Sequence, residues 1–197
     1  NEDGVPEVLA VTEWWTFQCI DATGKPLWPY WVVRPRYGPG ANVVRAADVN
    51  GDGHLEMLVG AIDTCVYAWS GTGERLWEFF TGEEISALEC LDVNGDGVPE
   101  VIAGSLNGYL YALNGDGQEL WHVALEEEVQ GLSVLDAAHG MAVAVAGPFV
   151  YFVAPGGKIS AYLDCRSPVR LMKAGKATQG LALYVASADG SISAFAI

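Results

Sequence analysis

No run of 18 apolar residues occurs in the chain, so the sequence offers no helix able to cross a bilayer. Basic residues are scarce: ten Lys and Arg stand against 25 Asp and Glu, for a formal net charge of −15. A surface of that sign repels phosphate backbones and argues against a nucleic-acid partner. Histidine is limited to His54, His122 and His139. No Gly-x-Ser-x-Gly elbow, phosphate loop or His-Glu-x-x-His pattern accompanies them. Nothing singles out a catalytic acid and base, so the chain is read as non-enzymatic. The four cysteines, at positions 19, 65, 90 and 165, form no Cys-x-x-Cys, which argues against zinc. Cys19, Cys65 and Cys90 fall in strand-like segments, and burial as small apolar residues is preferred to disulfide pairing. Charged residues are only 18% of the chain and apolar residues 51%, which argues against disorder. No segment carries a sustained 3.6-residue apolar period with caps, so helices are not expected.

What the chain does have is a loop written twice. Asp48-Val49-Asn50-Gly51-Asp52-Gly53-His54-Leu55-Glu56 recurs 44 residues later as Asp92-Val93-Asn94-Gly95-Asp96-Gly97-Val98-Pro99-Glu100. Oxygen-bearing side chains occupy positions 1, 3, 5 and 9, with glycine at position 6. A hard cation such as Ca²⁺ takes six to eight oxygen ligands, several of them carboxylates. Alternating loop positions converge on one ion where the chain turns sharply, and the glycine permits that turn. The spacing assigns Asp48, Asn50, Asp52 and Glu56 to one Ca²⁺, with the backbone carbonyl of His54. Asp92, Asn94, Asp96 and Glu100, with the carbonyl of Val98, form the second set. The competing reading is a pair of Asn-Gly turns whose carboxylates face water. Asn1-Glu2-Asp3-Gly4-Val5-Pro6-Glu7 matches Asn94 to Glu100 at six of seven positions, which makes Asn1, Asp3 and Glu7 an incomplete third site.

The period extends beyond the loops. Trp77 matches Trp121, Gly73 matches Gly117 and Tyr67 matches Tyr111, all at 44 residues. Trp28 precedes Trp77 by 49, which locates a five-residue insertion around 35–40. After residue 130 the repeat decays: Ala137-Ala138-His139-Gly140 has lost the ligands, and Ala161 replaces the tryptophan. The repeats run approximately 1–42 (partial), 43–86, 87–130, 131–168 and 169–197 (partial). Each full copy reads as four short strands, at roughly 43–48, 56–61, 64–69 and 75–80 in the second. Glu126-Glu127-Glu128 reads as a solvated turn. Four strands in about 44 residues is the pattern of a propeller blade. The fold class is therefore all-β: a β-propeller of four-stranded antiparallel blades, about four and a half in this chain, either a fragment of a larger ring or an open propeller that another chain completes.

At these residues the chain resembles two known propeller repeats. The Asp-x-Asn-x-Asp-Gly-x-x-Glu loops before apolar strands resemble FG-GAP (VCBS-type) calcium repeats. The segments Val66–Trp77, Leu110–Trp121 and Ile20–Trp28 resemble pyrroloquinoline-quinone-type repeats. That second resemblance implies that Trp28, Trp77 and Trp121 dock on a neighbouring blade.

Aromatic residues cluster early, at Trp14, Trp15, Trp28, Tyr30, Trp31 and Tyr37. Trp31 and Tyr37 flank the insertion and are the candidate partner contacts, because loops that depart from a repeat often carry function. The expectation is a calcium-binding binding, adhesion or assembly module, with structural Ca²⁺ and a protein or glycan ligand. It would act outside the cell, at its surface or in a periplasm, where Ca²⁺ is abundant. The alternative is a segment of a propeller enzyme, a quinoprotein dehydrogenase or a polysaccharide lyase. Other copies of the chain are a further possible partner.

Overall fold

The computed structural model describes residues 5–11, 16–27, 31–32, 40–136, 141–177 and 180–196. These residues form eighteen strands gathered into five antiparallel sheets of three, four, four, four and three strands. Blade 1 holds β1 (Val8–Val11), β2 (Thr16–Ile20) and β3 (Trp31–Val32). Blade 2 holds β4 (Ala41–Ala47), β5 (Glu56–Ala61), β6 (Cys65–Trp69) and β7 (Arg75–Phe80). Blade 3 holds β8 (Ile85–Leu91), β9 (Glu100–Ser105), β10 (Tyr109–Leu113) and β11 (Glu119–Ala124). Blade 4 holds β12 (Val129–Asp136), β13 (Met141–Ala146), β14 (Phe149–Val153) and β15 (Ile159–Asp164). Blade 5 holds β16 (Val169–Ala177), β17 (Gly180–Ser187) and β18 (Ile192–Ala196). Within each sheet the strands follow in sequence order, as a meander. This is the propeller architecture that the repeat implies, and the strand limits of blade 2 fall within two residues of the expected ones. Glu126 and Glu127 lie in an exposed bend between β11 and β12, not in a helix.

Burial follows strand position within the blade. The second strands, β5 and β9, are buried at every residue, because both of their faces meet a neighbouring blade. They accordingly read as apolar runs after an initial glutamate, with Ser105 closing the second. The fourth strands, β7 and β11, alternate between exposed and half-buried, as outer strands with one wet side. Separate apolar cores fill each junction. Leu58, Val66 and Ala68 of blade 2 pack with Leu88, Val101 and Leu113 of blade 3. Ile102, Leu110 and Ala112 pack with Ala144, Tyr151 and Val153 of blade 4. Val145, Val150 and Phe152 pack with Leu183 and Val185 of blade 5.

The blades meet through a recurrent contact. A Cβ placed on Gly60 of β5 would lie 2.5 Å from Cγ2 of Ile85, the first residue of the next blade. A Cβ on Gly104 of β9 would lie 2.5 Å from Cγ1 of Val129, the first residue of the blade after that. A branched apolar side chain thus occupies the space above each bare Cα. Beside it, the first strand of each of blades 2 to 5 is bulged at its second residue, with register shifts at Ala41/Val43, Ile85/Ala87, Val129/Gly131 and Val169/Leu171. The bulged residues are Asn42, Ser86, Gln130 and Arg170. Asn42 Nδ2 donates to the Ile85 carbonyl at 3.1 Å. Ser86 Oγ donates to the Val129 carbonyl. The Arg45 guanidinium adds an ion pair to Glu89 at 2.9 Å, joining β4 to β8.

The tryptophans dock as the resemblance implies where the structure describes them. Trp77 Nε1 donates to the Gly115 carbonyl at 2.8 Å, and a Cβ on Gly117 would meet its ring at 2.6 Å. The ring of Trp121 lies against Gly157 in the same way, but its buried Nε1 has no hydrogen-bond acceptor among the described residues. Trp28 lies outside the described residues. All four cysteines are free thiols, with Cys19 and Cys65 buried.

The glycine contact gives a stability prediction. Gly104→Ala forces a methyl against Val129 and is expected to cost about 1–3 kcal/mol of unfolding free energy. Gly156→Ala, which meets nothing within 4 Å, should change it by less than about 0.5 kcal/mol. Denaturant titration of both variants checks the contrast; equal effects would remove the close approach from the account of blade packing.

Candidate cation loops

The two acidic loops join the first strand of a blade to its second, β4 to β5 and β8 to β9. Each folds around its first aspartate. Asp48 Oδ1 accepts from the amides of Gly51 at 2.7 Å and Asp52 at 3.1 Å, and its Oδ2 accepts from Gly53 at 2.9 Å. Asp92 repeats this with Gly95 at 2.6 Å and Gly97 at 2.9 Å. Gly53 and Gly97, at position 6, have φ of 89° and 90°, a left-handed conformation that favours glycine. Asn50 Oδ1 accepts from the Asp52 amide at 2.9 Å, and Asn94 Oδ1 from the Asp96 amide at 2.8 Å. The amides of His54 and Val98 donate to Asp52 and Asp96, each at 2.8 Å.

The closing glutamates differ from the rest. Residues 50–55 are exposed, whereas Glu56 is 2% exposed and Glu100 is 4% exposed. Glu56 Oε2 accepts from the Val49 amide at 3.0 Å, and Glu100 Oε2 from the Val93 amide at 2.8 Å. Asn94 Nδ2 also donates to Glu100 Oε1 at 2.6 Å. Among the described residues no Lys, Arg or His pairs with either glutamate. Burial raises both carboxyls above the ordinary 4.5; the Val49 and Val93 amides oppose that shift, and the neighbouring aspartates add to it. Asp92, by contrast, is held below the ordinary 3.8 by the amides of Gly95 and Gly97.

In each loop the oxygens of the side chains named by spacing accept backbone amides of the loop itself. His54 and Val98 enter through their N–H groups. Among the described residues no three His, Cys, Asp or Glu side chains stand together as a metal cluster. The donor set is all oxygen, and the buried glutamate at its base lacks a counter-charge, which suits a hard cation in chemistry. Of the N-terminal half-loop, Asn1 and Asp3 lie outside the described residues. Glu7 is half-buried and lines a cavity of about 700 Å³ with Leu9, Leu55, Met57 and Gly71. Tyr37 and His139 also lie outside the described residues, and Trp31 is placed only as the start of β3.

The loops are wired to the blade junction. Val98 of the second loop packs its side chain on Gly51 of the first, at 3.1 Å from a Cβ built there. Gly115 lies so close to the Val49 carbonyl and Asn50 Cα that any side chain would collide with them. Gly115 also accepts the Trp77 hydrogen bond, so one turn of blade 3 touches both a loop and a tryptophan of blade 2. The bulge residues leave no mark in the sequence, and the shared turn leaves little. The glycines of the 114–117 turn were the only signal.

Comparison with known proteins agrees with the fold. A sequence-family model described as the Lambda-carrageenase beta-propeller domain matches residues 82–167, less than half of the chain. No curated protein matches the chain. Among solved structures, the chain is similar to BBS1N in complex with ARL6DN, soaked with lead, at a TM-score of 0.73 and 15% identity. It is also similar to the mercury-soaked form of that complex, at a TM-score of 0.79 and 12% identity. The alignments cover 96% and 98% of this chain but 61% and 62% of those chains, so the chain spans under two thirds of their length. These likenesses establish a β-propeller.

The buried glutamates generate a pH prediction. A carboxyl whose folded pKa lies above 4.5 stabilises the fold fully below pH 4.5 and loses that contribution as pH rises through the folded value. Asp92 acts in the opposite sense, and only below about its ordinary 3.8. In chelator-treated protein the thermal midpoint should therefore fall as pH rises above 4.5, and Glu56→Gln with Glu100→Gln should flatten that fall. An unchanged slope in the double variant would show that the glutamates do not titrate as buried groups.

Proposed function

We propose that the chain is a calcium-binding β-propeller module whose ions brace the loops beside a surface that binds a protein or glycan partner. One observation carries the cation reading. Two buried glutamates without a cationic partner among the described residues, each at the base of an Asp-x-Asn-x-Asp loop, occur 44 residues apart. A Ca²⁺ in each loop would neutralise them and relieve repulsion among three carboxylates. Binding of that kind adds to stability by mass action. The openness of the loops fits the extracellular affinity range, roughly 10⁻⁴–10⁻³ M. An extracellular, cell-surface or periplasmic setting follows from that reading.

Two observations support a binding role. The similar solved propeller is titled as a complex with a protein, ARL6DN. The matching family model is named for a polysaccharide-degrading enzyme, lambda-carrageenase. The latter also favours a second reading, a propeller domain within a polysaccharide-acting enzyme whose catalytic residues lie in another domain. In either setting Trp31 and Tyr37, at the five-residue insertion, are the proposed contacts.

Isothermal calorimetry of Ca²⁺ into chelator-stripped protein tests the cation reading. Two sites are expected, with Asp52→Ala and Asp96→Ala each removing one. Absence of heat up to several millimolar Ca²⁺ would leave the loops as acidic turns and end the calcium proposal. Glycan-array binding that Trp31→Ala reduces at least about tenfold is the expected sign of a glycan partner. An array without signal would point to a protein ligand.

A further inference from the structure

The two acidic loops touch each other across the junction of blades 2 and 3, and the residues in contact are held by the loops' own aspartates. Val98 packs on Gly51, where its Cγ2 lies 3.1 Å from a Cβ built on the glycine. The Val98 amide donates to Asp96 Oδ1 at 2.8 Å, and the Gly51 amide donates to Asp48 Oδ1 at 2.7 Å. The contact therefore runs from a carboxylate of one loop to a carboxylate of the other through two amides and one side chain. Pro99 narrows the backbone freedom of Val98, the residue before it.

A second route runs through the backbone. The Val49 amide donates to Glu56 Oε2 at 3.0 Å, and the Val49 carbonyl lies so close to Gly115 that a side chain there would collide with it. Gly115 follows β10, whose Leu113 pairs with Val101, the neighbour of Glu100. Both routes join the acidic residues of the first loop to those of the second. Gly95 takes the place of Gly51 in the second loop, and nothing lies within 4 Å of a Cβ built there. Among the described residues, the side-chain contact thus links these two loops and goes no further.

We propose that the two loops bind Ca²⁺ with positive cooperativity, transmitted by Val98 on Gly51. The coupling presupposes that each loop binds Ca²⁺, the function proposed for this module. Three carboxylates repel one another in an empty loop, and an ion draws them together. An ion held by Asp96 and the Val98 carbonyl fixes Val98, and Val98 then keeps Gly51 where its amide meets Asp48. The first loop is ordered before its own ion arrives, so its affinity rises. Linkage makes the effect reciprocal: an ion in the first loop raises the affinity of the second by the same factor. Electrostatics acts in the opposite sense, since an ion in one loop weakens the negative field that attracts a cation to the other. Salt screens that field beyond about 8 Å at physiological ionic strength, whereas an apolar packing contact persists. The pair of loops then passes from loose to braced over a narrow range of Ca²⁺.

Calorimetry of Ca²⁺ into the chelator-stripped whole chain, in about 0.15 M salt, tests the coupling. Asp96→Ala gives the affinity of the first loop with the second empty, and Asp52→Ala that of the second with the first empty. The two-site constant of the parent should exceed the product of these affinities by about five- to tenfold. Val98→Ala keeps every ligand, including the carbonyl of residue 98. It should bring the excess to about one while both sites still bind. Leu55→Ala, a truncation of an exposed side chain in the first loop, should keep the excess of the parent. Circular dichroism verifies the fold of each variant. Should an aspartate variant unfold, the steepness of the parent isotherm, lost in Val98→Ala and kept in Leu55→Ala, reads the same coupling. Two ions bound without an excess, an excess below one, or an excess that Val98→Ala leaves intact would overturn the coupling and leave the calcium reading standing. Absence of heat up to several millimolar Ca²⁺ would end both.

Discussion

The close approach of one blade to the next governs this structure. A single four-stranded sheet of about 40 residues cannot bury both of its faces, so it depends on its neighbours. Here that dependence is met by placing Ile85 and Val129 directly over the bare Cα atoms of Gly60 and Gly104. Removing the side chain at that point lets two second strands come near enough for their apolar runs to share a core. The Asn42 and Ser86 side chains then fasten the same corner, by satisfying the Ile85 and Val129 carbonyls next to the inserted side chain. Apolar insertion and polar latch act at adjacent residues, so each fixes the geometry that the other needs.

The acidic loops belong to this same system. The turn Asn114–Gly117 of blade 3 is held by the Trp77 ring and hydrogen bond on one side and by the Val49–Asn50 backbone on the other. A displacement of the first loop would therefore be felt at the tryptophan. The second loop leans on the first through Val98 and Gly51. Loop order and blade order are linked through backbone contacts that tolerate no side chain.

Much of this was legible in the sequence. The 44-residue period fixed the blade count, and the alternation of apolar residues placed the strands of blade 2 within two residues. The tryptophan docking followed from resemblance and holds for Trp77 and Trp121. The polar latches of Asn42 and Ser86 were not legible, because the residues at the four equivalent positions, Asn42, Ser86, Gln130 and Arg170, share no chemistry. They share a backbone bulge, which appears only in the register of the folded strands. The burial of Glu56 and Glu100 was also hidden. Spacing treats them as the ninth position of an open loop, whereas β5 and β9 begin at these residues and carry them into a sheet enclosed on both faces.

That burial bears on the choice between a cation loop and a plain acidic turn. A turn of this shape is complete once Asp48 and Asn50 have accepted the amides of residues 51–53. It gains little from a carboxylate enclosed at the base of the sheet, and the enclosure costs desolvation energy that one or two amide hydrogen bonds offset only in part. Glu56 and Glu100 bear that cost in duplicate, with Asp48 and Asp52, or Asp92 and Asp96, as nearby like charges that raise it further. A neutral glutamine would make the same bond to the Val49 or Val93 amide without the charge. A glutamate is favoured over it where a positive ion supplies the missing counter-charge. An oxygen-rich loop open to solvent on its other side is a position from which a divalent cation can supply it.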